Sequence, residues 1–153
     1  MGKIEGSFTL MDGKNVSVEE QAFVDLMENH ENGYAIFLTR QISVKAGFNN
    51  TEETMIATAA SELATNIIRY AKAGKITISI IKNIKDGRSG VELFAYDEGP
   101  GIADINLAMQ DQYSSLPNSL GLGLPSVKRI MDEFYIESVF GKGTRVLARK
   151  WKK

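Results

Sequence analysis

Residues 75–96, KITISIIKNIKDGRSGVELFAY, contain two runs rich in β-branched and aromatic side chains on either side of a turn with two glycines. The runs cover Lys75 to Ile84 and Val91 to Tyr96. Such side chains favour strands, and Asp86-Gly87-Arg88-Ser89-Gly90 has the composition of a hairpin turn. We therefore predict an antiparallel hairpin whose two strands are central in a sheet.

Further strands are expected on both sides of this hairpin. The composition of Ala22 to Met27 favours a strand near the start of the chain. Near its end, Phe134–Phe140 and Thr144–Trp151 flank the turn Gly141-Lys142-Gly143. These segments predict a second hairpin in the same sheet.

Helices are predicted between the strands. Apolar residues at helical spacing indicate one helix that ends near Gly47 and a second that runs to about Tyr70. Asn50 is the expected N-cap of the second helix, because Glu53 follows it three residues later. A third helix is expected from Pro125 to about Glu133.

The order of these elements predicts the fold class. A strand is followed by two helices, a hairpin, a polar segment with a helix, and another hairpin. Runs of helices and antiparallel strands, without strict alternation of strand and helix, favour an α+β protein. The predicted architecture is a two-layer α/β sandwich, in which a mixed, mostly antiparallel sheet is covered by helices on one face.

One domain is expected, because 153 residues can bury a core without disulfides or metals. We assign this domain to residues 21–153. Residues 1–20 carry no chemical motif, and we assign them to an N-terminal extension of unknown role, either an edge strand or a loose arm.

Composition and charge exclude several classes of function. The 18 basic and 19 acidic side chains nearly cancel, so neither nucleic acid nor an anionic membrane is the expected partner. Without cysteine there is no thiolate nucleophile, and a single histidine cannot build a histidine-based metal site. No apolar run has the length of a membrane span and no signal pattern begins the chain, so a cytoplasmic location is expected.

Glu62 and Asn66 lie four residues apart on the second predicted helix, so their side chains share one face. The amide oxygen of Asn66 suits Mg²⁺, which takes few ligands from protein and the rest from phosphates and water. A neighbouring carboxylate that does not bind the metal can accept the proton of an attacking hydroxyl. Considered alone, such a pair is more commonly the solvated flank of an amphipathic helix.

The motif Asp97-Glu98-Gly99-Pro100-Gly101 follows the second strand of the first hairpin. A carboxylate at a strand end can accept a hydrogen bond from the exocyclic amine of adenine. Glycine at positions 99 and 101 lets the backbone lie against a flat ring, and Pro100 stiffens the bend between them. An ordinary strand-end turn has the same composition.

The motif Gly121-Leu122-Gly123-Leu124-Pro125 precedes the third predicted helix. Its glycines leave backbone N–H groups unobstructed at a helix start, which favours anions such as a triphosphate. A flexible connection with a helix cap is about equally plausible for this motif alone. A Rossmann fingerprint is excluded because Ser126 replaces the third glycine, and a Walker-type P-loop is excluded because Gly143 follows Lys142 where Ser or Thr is required.

These three motifs and Gly141-Lys142-Gly143-Thr144 resemble, in order and spacing, the N, G1, G2 and terminal boxes of the Bergerat-fold (GHKL) ATPases and kinases. Within that superfamily, ASELATNI (60–67), DEGPGI (97–102) and GLPSVKRIMDEF (123–134) are similar to the small serine/threonine kinases of bacterial stress signalling. They most resemble the RsbT-type switch kinases of the stressosome, in the anti-sigma regulatory factor kinase family. The resemblance covers about residue 20 to the end.

The resemblance implies ATP and Mg²⁺ as cofactors and gives each motif a role. It implies Glu62 as the catalytic base, Asn66 as the ligand of Mg²⁺, and Asp97 as the residue that reads adenine. The segment 103–120 would close over ATP. The other nucleotide-binding residues that the resemblance implies are Gly99 and Gly101 at the base, Gly121, Leu122, Gly123 and Leu124 at the phosphates, and Thr144 beside the adenine.

The resemblance also implies a switch between two partners. Such kinases phosphorylate STAS-domain scaffold proteins on Ser or Thr, and the released kinase then binds and activates a downstream output enzyme such as a phosphatase. One alternative is an anti-sigma factor serine kinase of the same fold. Another is a nucleotide-dependent binding module without phosphotransfer, although binding alone would not require a base at Glu62.

A histidine-kinase catalytic domain shares these boxes, and His30-Glu31 superficially matches a phospho-acceptor site. No long helical pair surrounds His30, because Asn32-Gly33 interrupt any helix there. His30 is therefore expected to be a loop or cap residue.

Overall fold

In the computed structural model, the described residues are 2–3, 15–27, 32–102, 109 and 123–153. The predictions for His30, Gly121 and Leu122 lie outside these residues. So does the prediction for the segment 103–120, apart from Met109.

Among the described residues, one sheet of six strands forms the first layer, and each pair of neighbouring strands is antiparallel. The order across the sheet is β1-β5-β6-β4-β3-β2. β3 and β4 lie inside the sheet as predicted, because β2 pairs with β3 and β6 pairs with β4. The strands are β1 (Gly2–Lys3), β2 (Val16–Met27), β3 (Ala73–Asn83), β4 (Ser89–Asp97), β5 (Glu133–Val139) and β6 (Gly143–Trp151).

β2 begins at Val16, six residues before the predicted start at Ala22. Its first half is mostly exposed and includes Glu19 and Glu20, so it has no apolar alternation that a sequence pattern could show. Pairing with β3 from Asn83 onward holds it in the sheet. The strand passes through residue 20, and the division into 1–20 and 21–153 stays a prediction.

The described helices are α1 (Gly33–Lys45), α2 (Asn50–Tyr70) and α3 (Gly123–Ile130). The N-cap of α2 is Asn49 and not the predicted Asn50, because the Asn49 side-chain oxygen accepts a hydrogen bond from the Glu52 backbone N–H at 2.8 Å. α3 ends before the predicted Glu133, because Glu133 already pairs with Arg149 in the sheet.

The helices cover one face of the sheet and bury a single apolar core. Alternate residues of the central strands face the helices, as the two-residue period of a strand requires. They pack against the apolar stripe of α2, and each large buried side chain contributes about 1.5–3 kcal/mol. This arrangement confirms the predicted α+β two-layer sandwich, and the described strands form a fully antiparallel sheet where a mixed, mostly antiparallel one was expected. The central members of the core are Ile76, Ile78, Ile80, Val91, Leu93, Ala95, Ile56, Ala60, Leu63 and Ile67.

Candidate active site

Asp97 lies at the end of β4 with its side chain directed into the buried face of the sheet, and 7% of its surface is exposed. Its Oδ1 accepts a hydrogen bond from the Gly99 backbone N–H at 2.9 Å. Burial raises the pKa of Asp97, and hydrogen bonds from the backbone N–H groups of Gly99 and Thr144 oppose part of that rise. The carboxyl group is therefore held in a fixed position at the edge of the core.

The loop after β4 packs against the turn between β5 and β6. The Gly141 backbone N–H donates to the Pro100 carbonyl oxygen at 2.6 Å. Gly101 has a φ of +78°, and a Cβ at this position would overlap the Val139 carbonyl group. Glycine is thus required here by the approach of the protein's own backbone, in addition to any approach of a ligand.

A buried serine that the sequence motifs do not include joins this loop to β6. Ser138 Oγ accepts a hydrogen bond from the Ile102 backbone N–H at 2.6 Å and lies 2.9 Å from Thr144 Oγ1. Thr144 pairs with Asp97 on one side and with Ser138 on the other. The structure thus brings Asp97, Thr144 and the glycine loop together, as expected for residues that share one site.

Glu62 and Asn66 are partly exposed on the same face of α2. Neither side chain forms a hydrogen bond or an ion pair within the part of the chain that the structure describes. A Cβ built on Gly123 would lie 3.9 Å from Glu62 Oε2, so the carboxylate stands beside the first residue of α3. The structure therefore brings the predicted base to the helix start that was predicted to bind phosphates.

α3 is fixed at both its apolar side and its C-terminus. The Leu124 side chain is buried in the core, so a contact of Leu124 with phosphates would be made by its backbone. At the other end, Lys150 Nζ donates to the Ile130 carbonyl oxygen at 3.0 Å and lies 3.8 Å from Asp132 Oδ1. A cation at a helix C-terminus is favourable, so Lys150 helps to hold the helix that starts beside Glu62.

The start of α1 is tied to α2 next to the predicted catalytic face. The Asn32 side-chain N–H group donates to Ser61 Oγ at 3.2 Å and to Thr65 Oγ1 at 3.1 Å. These two residues immediately precede Glu62 and Asn66. Asn32 is the N-cap residue of α1 and makes no side-chain cap bond. The side chain of Asn32 thus connects two helices and does not cap its own.

One side chain on this face suits Mg²⁺. The Asn66 amide offers a hard oxygen atom, and Mg²⁺ takes most of its octahedral shell from phosphates and water, which leaves the Glu62 carboxylate free to accept a proton. Within the described ranges, no group of three or more His, Cys, Asp or Glu side chains could hold a metal ion by itself. Those ranges also contain no helix that is long and apolar enough to cross a membrane.

The family model described as "Histidine kinase-like ATPase domain" matches residues 35–150, a range that includes Glu62, Asn66, Asp97 and Thr144. The chain belongs to this family. Its sequence is 41% identical over 134 residues to the Serine/threonine-protein kinase RsbT of Bacillus subtilis (strain 168), which covers 88% of this chain and 98% of that protein. These matches confirm the predicted superfamily and the predicted enzyme class, a protein serine/threonine kinase.

Two further matches have lower sequence identity. The Anti-sigma F factor of Thermoanaerobacter sp. (strain X514) is 38% identical over 98 residues, which is 63% of this chain and 68% of that protein. Among solved structures, the catalytic domain of the histidine kinase ThkA aligns with 86% of this chain and 97% of its own at 16% identity, with a TM-score of 0.43.

Proposed function

We propose that this protein is a cytoplasmic serine/threonine kinase that uses Mg²⁺ and ATP to phosphorylate STAS-domain scaffold proteins of the stressosome. Once released from the scaffold, it binds and activates a downstream output enzyme, for which a phosphatase is the leading candidate. The position of Glu62 beside Gly123 at the start of α3 carries the kinase proposal. The alignment with RsbT, at 41% identity over 98% of the length of that kinase, supports the choice of partners.

The proposed phosphate site is the N-terminus of α3. Backbone N–H groups and the helix dipole favour anions there. Gly121 and Leu122, with Gly123 and Leu124, would supply the N–H groups that hold the triphosphate. Asn66 would hold Mg²⁺, which neutralises charge on the phosphate oxygens when it is bound.

Glu62 is the proposed general base. The hydroxyl oxygen of a substrate Ser or Thr forms a bond to the γ-phosphorus, while the bond from that phosphorus to the β,γ-bridging oxygen breaks. Glu62 accepts the hydroxyl proton, and ADP leaves. The products are a phosphorylated scaffold protein and ADP.

Asp97 is the proposed reader of the base. Its ionised carboxylate would accept a hydrogen bond from the adenine amine, and the backbone at Gly99 and Gly101 would border the ring. Thr144 would lie beside the adenine, since it is the direct neighbour of Asp97 in the sheet. The fixed carboxyl position supports this role, because a preorganised acceptor discriminates between bases.

Two alternatives are distinguishable. The identity with the Anti-sigma F factor supports an anti-sigma factor kinase of the same fold. Incubation with Mg²⁺, ATP and candidate STAS proteins, followed by mapping of the phosphate, separates a stressosome substrate from an anti-sigma antagonist. A module that only binds nucleotide would transfer no phosphate to either.

The first prediction concerns Glu62→Gln. This variant keeps the shape of the side chain and removes the proton acceptor, so we expect phosphoryl transfer to fall by roughly 100- to 10,000-fold. ATP affinity is expected to change by less than about threefold, because the base contributes little to ground-state binding. Single-turnover transfer and equilibrium binding of a fluorescent ATP analogue measure the two quantities.

Glu52→Gln is the matched control, since Glu52 is a partly exposed glutamate in the first turn of the same helix. Its transfer rate is expected to equal that of the parent protein. An undiminished rate in Glu62→Gln would reject Glu62 as the base and leave only a nucleotide-binding role for this face.

A further inference from the structure

Three neighbouring strands each carry a buried polar residue at the same level, at the end of an otherwise apolar sheet face. Ser138 in β5 is 1% exposed, Thr144 in β6 is 6% exposed, and Asp97 in β4 is 7% exposed. Ser138 pairs with Thr144, and Thr144 pairs with Asp97. The two outer residues of this polar row are thus connected through the middle one.

Ser138 also contacts the loop that follows Asp97. Its Oγ accepts a hydrogen bond from the Ile102 backbone N–H at 2.6 Å, across 36 positions of sequence. The same oxygen lies 3.2 Å from the Gly143 carbonyl oxygen and 2.9 Å from Thr144 Oγ1. One buried hydroxyl group therefore touches the glycine loop and both of the first residues of β6.

The number of protons at this hydroxyl allows two arrangements. A serine hydroxyl donates one hydrogen bond, and here it already accepts one from Ile102. If Ser138 donates to the Gly143 carbonyl, Thr144 has to donate to Ser138. If Ser138 donates to Thr144 Oγ1, the Thr144 proton is available to an acceptor in the neighbouring pocket.

We propose that Ser138 is a positioning residue of the base pocket, which acts by setting the direction of the Thr144 hydroxyl proton. The proposal rests on the proposed function, in which Thr144 and Asp97 flank the adenine. A nucleotide whose base presents an acceptor to Thr144, directly or through water, selects the second arrangement. Ser138 then donates to Thr144, and Thr144 donates to the ligand.

Ser138 shares the task of holding the loop with another contact. The Gly141 backbone N–H donates to the Pro100 carbonyl oxygen at 2.6 Å, and this contact between the loop and the hairpin does not involve Ser138. The Thr144 backbone N–H still holds the Asp97 carboxylate. Removing the Ser138 hydroxyl should therefore affect the direction of the Thr144 hydroxyl proton more than the position of the pocket's backbone.

A double-mutant cycle tests this proposal, with ADP affinity of the full chain measured by calorimetry. We expect Ser138→Ala to weaken ADP binding by roughly tenfold, because Thr144 Oγ1 then lacks the donor that directs its own proton to the ligand. In a Thr144→Val background, the same change is expected to have an effect of less than about twofold, because Ser138 acts through Thr144. Equal effects in both backgrounds would overturn the proposal.

Ser79→Ala is the matched control. Ser79 is a buried serine in the same sheet, but its Oγ accepts a hydrogen bond from Gln21 Nε2 at 3.0 Å on the opposite face. It should lower stability as Ser138→Ala does and leave ADP affinity unchanged. If Ser138→Ala does not fold, Ser138→Cys keeps nearly the same volume with a weak donor, and the same cycle applies to it.

Asp97→Asn separates failure of this proposal from failure of the proposed function. If Asp97→Asn loses ADP binding and Ser138→Ala does not, the base pocket stands and the role of Ser138 is rejected. If Asp97→Asn binds ADP as the parent does, the base pocket itself is wrong, and the role of Ser138 is rejected with it.

Discussion

At the scale of single residues, Asp97 combines burial with a proposed role that needs charge. Its side chain is 7% exposed, and burial raises its pKa above the ordinary value of 3.8. The proposed contact with the adenine amine requires the ionised carboxylate. Burial in the nucleotide-free protein disfavours this charged form. Sites that bind tightly commonly carry such a cost in stability.

The charge of Asp97 leads to a prediction about pH. Since the folded-state pKa is raised, the stabilisation from this group is fully present below the unfolded pKa and is lost as the pH rises through the folded pKa. Asp97→Asn, which is never charged, should therefore be more stable than the parent at neutral pH. This advantage should shrink as the pH falls toward 3.8. Urea unfolding of the nucleotide-free proteins across this pH range measures the difference, and an advantage that does not vary with pH would contradict the prediction.

Two glycines with almost the same φ angle offer a second test. Gly87 and Gly101 have φ values of +76° and +78°. A Cβ at Gly87 would have no neighbour within 4 Å, whereas one at Gly101 would overlap the Val139 backbone. We expect Gly87→Ala to cost about 1 kcal/mol for its left-handed conformation. Gly101→Ala should cost about 2 kcal/mol more for the overlap. Denaturant unfolding measures both, and equal costs would show that the loop can move away.

At the scale of the elements, short-range signals located the helices and hairpins, while contacts between distant residues fixed their ends. The N-cap of α2 illustrates this, since Asn49 and Asn50 each have a glutamate three residues later. The sequence contains two overlapping cap signals, and the structure uses Asn49. A propensity argument cannot choose between them, because both positions have the same residue type.

The cap leads to a prediction with its own control. Asn49→Ala removes the acceptor of the Glu52 N–H group and should cost about 1 kcal/mol of stability. Asn50→Ala should change stability by less than about 0.5 kcal/mol, because its side chain is exposed and makes no cap bond. Thermal unfolding followed by circular dichroism compares the two. A larger loss of stability for Asn50→Ala would contradict this prediction and would show that Asn50 is the N-cap residue.

At the scale of the whole molecule, the fold class and the three motifs were predictable because their periods and spacings are local. Glu62, Asn66 and Asp97 are recognisable from neighbours a few residues away. Ser138 and Asn32 are not, because each has a partner that is distant in sequence, 36 positions for Ser138 and 33 for Asn32, and neither residue belongs to a pattern. The start of β2 was also missed, since pairing with β3 and not burial holds it.

β6 follows the other described strands along the sequence but lies between β5 and β4 inside the sheet. During synthesis, β1 to β4 leave the ribosome before β5 and β6, and β4 has no partner on one edge until β6 arrives with its hairpin partner. Thr144 reaches Asp97 only in that step, so a nascent chain that lacks β6 has no complete base pocket. Pairing over such a long sequence separation is slow. The proposed base pocket therefore depends on the β5–β6 hairpin, so a chain that is cut before this hairpin is not expected to recognise adenine.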